Sequence, residues 1–313
     1  MGRRFDPDRA HVSSPKSTQK AYYSLTMSEE LEIANSSEKS VPNLKQWLDT
    51  FHAHPVGTVH VGAHAAEERH LYQEMNLEPV LWIEAHPELY AQITKILQDF
   101  PKQVAVEAAL WDEPDKELNF YVAGKDASSS SLLKPKLISA SHPEVWTYDK
   151  IVVQTQTLYN LLINIGEPFR SCELLCLDVQ GAEWNVLVGA IPILDQFPYI
   201  YLEVSTRELY RDGALFDDVR KKLEELGYVL VASHINVATS WGDALFIVGW
   251  KYTQLEITPD EHKHTIAGKK FPVGTMLRRL LIQGGLSNRF VSRLSKILRP
   301  IFKKMSQSGF PKD

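Results

Sequence analysis

The sequence predicts an α/β fold: a doubly wound, mostly parallel sheet with helices on both faces. Three observations predict it. From Thr58 onward, short apolar runs of strand character alternate with helical patterns, the order that builds a parallel sheet. Several of those runs end on a glycine or a carboxylate, as in Val59-His-Val-Gly62, Ile83-Glu84 and Leu177-Asp178. Open α/β sheets bind ligands at that edge. The last two runs, Tyr228–Ser233 and Asp243–Val248, have only a loop between them. That is too short for a parallel crossover, so one strand near the edge must be antiparallel.

The elements follow in order. Residues 1–42 are polar without a sustained period and read as a disordered or loosely attached tail. A helix through Trp47 and Phe51 opens the main domain, taken as 43–250. Strands are expected at Thr58–Ala63, Val80–Ala85, Val104–Trp111, Glu117–Val122, Ile151–Thr157, Leu174–Val179 and Tyr199–Val204. Helices are expected at Glu67–Met75, Pro87–Phe100, Leu158–Ile165, Ala182–Ala190 and Ala214–Leu226. Pro87 suits a first helical turn, where its missing N–H costs nothing. The segment 123–150, with Ser128-Ser-Ser-Ser131, has no clear period. An irregular stretch of that length is usually a lid or a binding loop.

Composition sets bounds. With 313 residues, 44% hydrophobic and 23% charged, the chain can bury a full core. A net charge of -5 gives no overall reason to expect nucleic-acid binding. Cys172 and Cys176 stand four apart on one expected strand, roughly 13 Å apart on the same face, too far to bridge. Two unpaired thiols fit a reducing, cytoplasmic compartment. From Val273 to Lys312 every charged residue is basic, and Phe290, Leu294, Ile297, Leu298 and Ile301 recur at helical spacing. The extension 251–313 therefore carries a basic amphipathic helix. Such a helix either packs its stripe on the main domain or makes peripheral contact with an anionic membrane.

Five motifs carry the chemistry. In Val59-His60-Val-Gly62-Ala63-His64-Ala-Ala-Glu67, a strand meets a small-residue turn and then a helix. Only one glycine of a three-glycine dinucleotide fingerprint is present, which disfavours a pyrophosphate and a nicotinamide cofactor. Glu84, in Trp82-Ile-Glu84-Ala85-His86-Pro87, follows the glycine turn by about 20 residues, the place of an acid that accepts ribose hydroxyls. Ala108-Ala-Leu-Trp111 offers small and aromatic residues that can flank an adenine. Asp178 and Glu183, in Leu177-Asp-Val-Gln-Gly-Ala-Glu183, and Glu203, in Tyr201-Leu-Glu203, would converge if their strands are neighbours. Acids that close together raise at least one pKa, which suits a general base.

In this order and spacing the motifs resemble the FkbM-type family of S-adenosylmethionine-dependent methyltransferases. The resemblance rests on Val61-Gly-Ala-His64, Trp82-Ile-Glu-Ala85, Ser129-Ser-Ser-Leu-Leu133, Leu177-Asp-Val-Gln-Gly-Ala-Glu183, Glu203-Val-Ser205 and Glu208-Leu-Tyr210. It implies a Rossmann-like class I methyltransferase fold with seven strands, and O-methyl transfer to a sugar, glycolipid or small natural product. The cofactor it implies is S-adenosyl-L-methionine, with a small-molecule or glycan acceptor. Cofactor contacts are expected from His60, Gly62, Ala63, His64, Glu84, Ala85 and Asp178. Family members often have Asp at His60, Asn-x-Gly at His64-Ala65-Ala66 and Lys at Cys176. Asp178, Glu183 and His142 are the candidates for the base, unranked among themselves. No metal site is required. A non-catalytic binding protein that keeps the fold is the alternative.

Overall fold

The computed structural model describes residues 44–123, 126–136, 148–252 and 255. The expected N-terminal tail, His142, the middle of the 123–150 segment and the basic C-terminal helix lie outside the described residues.

Seven strands form one sheet. In chain order they are β1 (Thr58–Val61), β2 (Val80–Glu84), β3 (Gln103–Glu107), β7 (Leu174–Leu177), β8 (Tyr199–Ser205), β9 (Tyr228–Ile235) and β10 (Trp241–Val248). Their spatial order is β3-β2-β1-β7-β8-β10-β9. The pairs among the first five are parallel. β10 runs antiparallel to both β8 and β9, so the antiparallel strand lies one place in from the edge. β1 and β7 are buried along their whole length, as central strands covered on both faces must be.

Three expected strands depart from the simple alternation. The run Val104–Trp111 breaks at Ala108 into β3 and a short β4 (Ala109–Leu110). β4 pairs with β6 (Tyr148–Gln156), which pairs antiparallel with β5 (Glu117–Ala123). These three make a separate sheet.

Helices cover both faces of the large sheet. On one face α4 (Leu158–Ile165), α5 (Glu183–Ala190) and α6 (Phe216–Glu225) bury Leu158, Leu162, Val186, Leu187 and Leu223 against Val59, Val61, Leu175 and Leu177. On the other, α1 (Leu44–Thr50), α2 (Arg69–Glu74) and α3 (Pro87–Ile96) bury Trp47, Leu48, Tyr72 and Ile93 against Val80, Trp82, Leu174 and Cys176. The two-residue alternation of each strand divides its side chains between these cores. The cysteines correct the sequence reading. β7 begins only at Leu174, so Cys172 precedes it, and the two thiols belong to opposite cores. Both are free and buried, and burial pushes each thiol up to about 12.

Strand order reverses between β1 and β7, and their C-terminal ends open a crevice there. Gly62 closes β1 with φ +85°, and a Cβ on it would lie 1.8 Å from the Asp178 carbonyl oxygen. The glycine is therefore needed first for close packing of the two strand ends. Gly62→Ala combines left-handed strain with a backbone clash, for a predicted loss of about 3 kcal/mol or more of stability. Urea unfolding of the variant checks this; a loss under about 1 kcal/mol would show that the turn can relax.

Candidate functional site

The glycine turn and the β2 acid form one unit. Glu84 is 5% exposed. One carboxylate oxygen accepts the His64 backbone N–H at 2.9 Å, and the other accepts that of His86 at 2.8 Å. Burial raises its pKa, and these backbone donors oppose the rise. The acid is thus fixed in place with one lone pair on each oxygen still available. His64 itself has φ 44°. Its Nδ1 lies 2.6 Å from Glu67 Oε1 and its Nε2 lies 2.9 Å from the Asp126 carbonyl. Burial lowers the imidazole pKa, but the Asp126 carbonyl and the Glu67 carboxylate outweigh it and leave the ring above its usual value. The ring ties the glycine turn to the segment that starts at Asp126.

That segment roofs the crevice. Tyr121 and Ser131 exchange backbone hydrogen bonds, and Lys136 N–H and Arg211 N–H bind the carbonyls of Leu209 and Lys134. The four serines divide by role. Ser131 Oγ donates to the Val179 carbonyl at 3.3 Å, and Ser130 Oγ accepts the Ala123 N–H. Ser128 Oγ binds Asp126, and Ser128, Ser129 and Ser130 line the cavities.

Two cavities lie beneath this roof. The first has about 610 Å³ of empty space, open mouth included. Gly62, His64, Glu84, Ala85 and Asp178 line it from the sheet edge, and Ala108, Leu110, Phe120 and Leu89 supply apolar walls. The second, about 1070 Å³ on the same measure, is lined by Asp178, Glu183, Glu203, Tyr210 and Trp241 among others. Ser128, Asp178 and Gln180 line both, so the cavities meet at these three residues.

The acids sit at that meeting point. Asp178 faces the open cleft, yet the protein around the cleft floor still raises its pKa, against the opposing Gln180 amide. Glu203 is raised well above the carboxylate range by burial and by the charges of Asp178, Glu183 and Asp243. The Gln180 amide reaches both Asp178 and Glu203, so the two carboxyls stand side by side, and the charge on either disfavours ionisation of the other. Glu183 is 6% exposed. Its Oε1 accepts the N–H groups of Val179 and Gly181, each at 3.1 Å. Burial, then the Asp178 charge, raises it to about 7. Among the described residues, no group of three or more His, Cys, Asp or Glu is arranged to hold a metal ion.

Two of the expected cofactor contacts turn elsewhere. His60 stacks on Trp82 with centroids 4.8 Å apart, and its Nδ1 lies 2.8 Å from the Tyr72 hydroxyl. Strand alternation places it on the face opposite Val61, in the α2 core rather than the crevice. Ala63 is 1% exposed in that same core. The sequence reading missed Gln180, Tyr210 and Phe120 as lining residues. Gln180 stands inside the Asp178–Glu183 motif, and a polar residue between a strand-end acid and a glycine is the signal that pointed to it.

The Glu183 shift has a consequence for stability. In the unfolded chain this carboxyl titrates near its ordinary 4.5. Between about pH 4.5 and 7 the native state therefore binds more protons than the unfolded state, and stability falls as pH rises. Glu183→Gln keeps an acceptor for the two amides and removes the charge. It is predicted to flatten this fall and to be more stable than wild type at pH 8, by roughly 2–3 kcal/mol. Urea unfolding at pH 5 and pH 8 measures it; equal stability of the two proteins at pH 8 would refute a buried charge at this position.

The order of the sheet, the glycine turn on β1 and the fixed acid on β2 define a Rossmann-like α/β protein with a ligand crevice at its switch point. The Methyltransferase FkbM domain matches residues 60–230, more than half of the chain. The chain belongs to that methyltransferase family. No curated protein matches it. Solved structures with some likeness include a TehB-like S-adenosylmethionine-dependent methyltransferase from Corynebacterium glutamicum, at 12% identity, covering 74% of this chain and 100% of that one, with a TM-score of 0.35. A Streptococcus pneumoniae protein, Sp1610, in complex with S-adenosyl-L-methionine gives 13% identity, 82% and 88% coverage and 0.39. A methyltransferase from Aquifex aeolicus gives 10%, 62% and 82%, and 0.33. At such scores these likenesses carry no weight for function; the family match does. Among the described residues no helix is long and apolar enough to cross a membrane.

Proposed function

We propose that the chain is an S-adenosylmethionine-dependent O-methyltransferase whose acceptor is a hydroxyl of a sugar, a glycolipid or a small natural product. The observation that supports this most is the meeting of two cavities at Asp178. The first cavity has the groups a nucleoside needs. Glu84 keeps two lone pairs for ribose hydroxyls, and Ala108, Leu110, Phe120 and Leu89 offer apolar surface for a planar base. No glycine-rich row of amides stands there for a pyrophosphate. When bound, the cofactor supplies an electrophilic methyl group.

The chain's own residues do the rest. Asp178 takes the proton of the acceptor hydroxyl. Glu183 holds the turn at Val179 and Gly181 and so steadies Asp178. The 126–133 roof, held at Val179 and Tyr210, excludes water and fixes the reactants. Positioning of that kind supplies much of the rate.

The bond formed in the product tests the reading. Cell extract incubated with the protein and methyl-labelled cofactor should yield a labelled acceptor that survives mild alkali, as an ether does. Label lost in alkali would mean a carboxyl ester, and the O-ether assignment would be wrong.

A further inference from the structure

Gln180 hydrogen-bonds two carboxyls and a tyrosine at the junction of the two cavities. Its Nε2 donates to Asp178 Oδ1 at 2.7 Å and to Glu203 Oε2 at 2.8 Å. Its Oε1 accepts from the Tyr210 hydroxyl at 2.7 Å, and that hydroxyl lies 3.0 Å from the Ser129 carbonyl. We propose that Gln180 is a positioning residue for methyl transfer: held by Tyr210, its amide bridges Asp178 and Glu203 and fixes the two carboxyls side by side where the cavities meet. The inference rests on the methyl-transfer reading above.

The orientation of the amide follows from chemistry. An amide NH₂ has two protons and two carboxyls stand before it, so each receives one. The reverse orientation would set an amide oxygen against two carboxyls. The Tyr210 hydroxyl donates its proton to Oε1 and reinforces the first orientation. Tyr210 is fixed in turn. It is 3% exposed, and its ring packs against Gly181, where a Cβ would lie 3.1 Å from it. Gln180 itself has φ 56° and Gly181 φ 94°. This tight left-handed turn folds the side chain back over the strand ends.

The surroundings show why such a donor is needed. The groups that act on the pair are His60 from β1, Glu68 before α2, Glu183 from α5, Asp243 from β10 and Tyr210. Carboxyls predominate among these, and Arg207 and Glu208 line the same cavity. The Gln180 amide donates to both members. Its removal should make the pair hold its proton to higher pH.

Carbon-13 NMR of the full chain, with labelled Asp and Glu carboxyls, tests this. The pair's signals are those lost in Asp178→Asn and Glu203→Gln. In Gln180→Leu the midpoint at which the pair takes its single charge should rise by about one pH unit or more. Tyr210→Phe, which frees the amide to rotate, should move it the same way by less. A Gln180→Leu midpoint equal to wild type would overturn the proposal; if that variant does not fold, an unmoved midpoint in Tyr210→Phe would overturn it instead. Calorimetry of the wild-type chain with S-adenosylmethionine runs alongside. No binding there would defeat the methyl-transfer reading, whether or not the midpoint moves.

Discussion

Asp178→Asn is expected to lower the rate of methyl transfer about 10²–10⁴-fold, the usual loss when a general base is removed, with S-adenosylmethionine still bound. Asparagine keeps the shape and loses the proton acceptor. Glu183→Gln should cost far less, because Oε1 of Glu183 is committed to the amides of Val179 and Gly181. Single-turnover transfer from labelled cofactor to the labelled acceptor fraction measures both. A loss of less than tenfold in Asp178→Asn would remove Asp178 as the base and leave His142 as the next candidate. Absence of turnover in the wild-type chain itself, with cofactor bound, would favour the non-catalytic alternative.

Glu84→Ala is expected to weaken cofactor binding about 100-fold. Hydrogen bonds to a charged group contribute about 1.5–3 kcal/mol each, and about 1.4 kcal/mol is a factor of ten. The alanine also strands the backbone N–H groups of His64 and His86, which now share the carboxylate. Glu84→Gln should fall between, since one amide oxygen can still accept.

Much of the fold was legible because its signals are local. Buried strands such as Leu174–Leu177 read as unbroken apolar runs, and Thr157 and Pro87 mark helix starts by their own chemistry. The acid at the end of β2 was legible for the same reason: strand, acid and spacing lie in one stretch. What was hidden depended on three dimensions. The apolar content of β5 and β6 gives no hint that they leave the main sheet. His60 was expected in the crevice from the family resemblance, but its side follows strand parity and the partner Trp82. The convergence of Asp178 with Glu203 needed β7 and β8 to be neighbours, which they are. The role of Gln180 needed a left-handed turn and a tyrosine 30 residues away in sequence, and neither leaves a local trace. The serine run shows the limit of composition: Ser130 and Ser131 bind backbone, Ser128 Oγ binds Asp126, and Ser128, Ser129 and Ser130 line the cavities.

The most direct test of the central claim is isothermal calorimetry with S-adenosylmethionine on wild-type chain and Glu84→Ala at matched folding. A crevice that holds the cofactor's ribose on Glu84 predicts one saturable site in the wild type and roughly 100-fold weaker binding in the variant. Equal affinity in the two proteins, or no binding by wild type at millimolar cofactor, would contradict it.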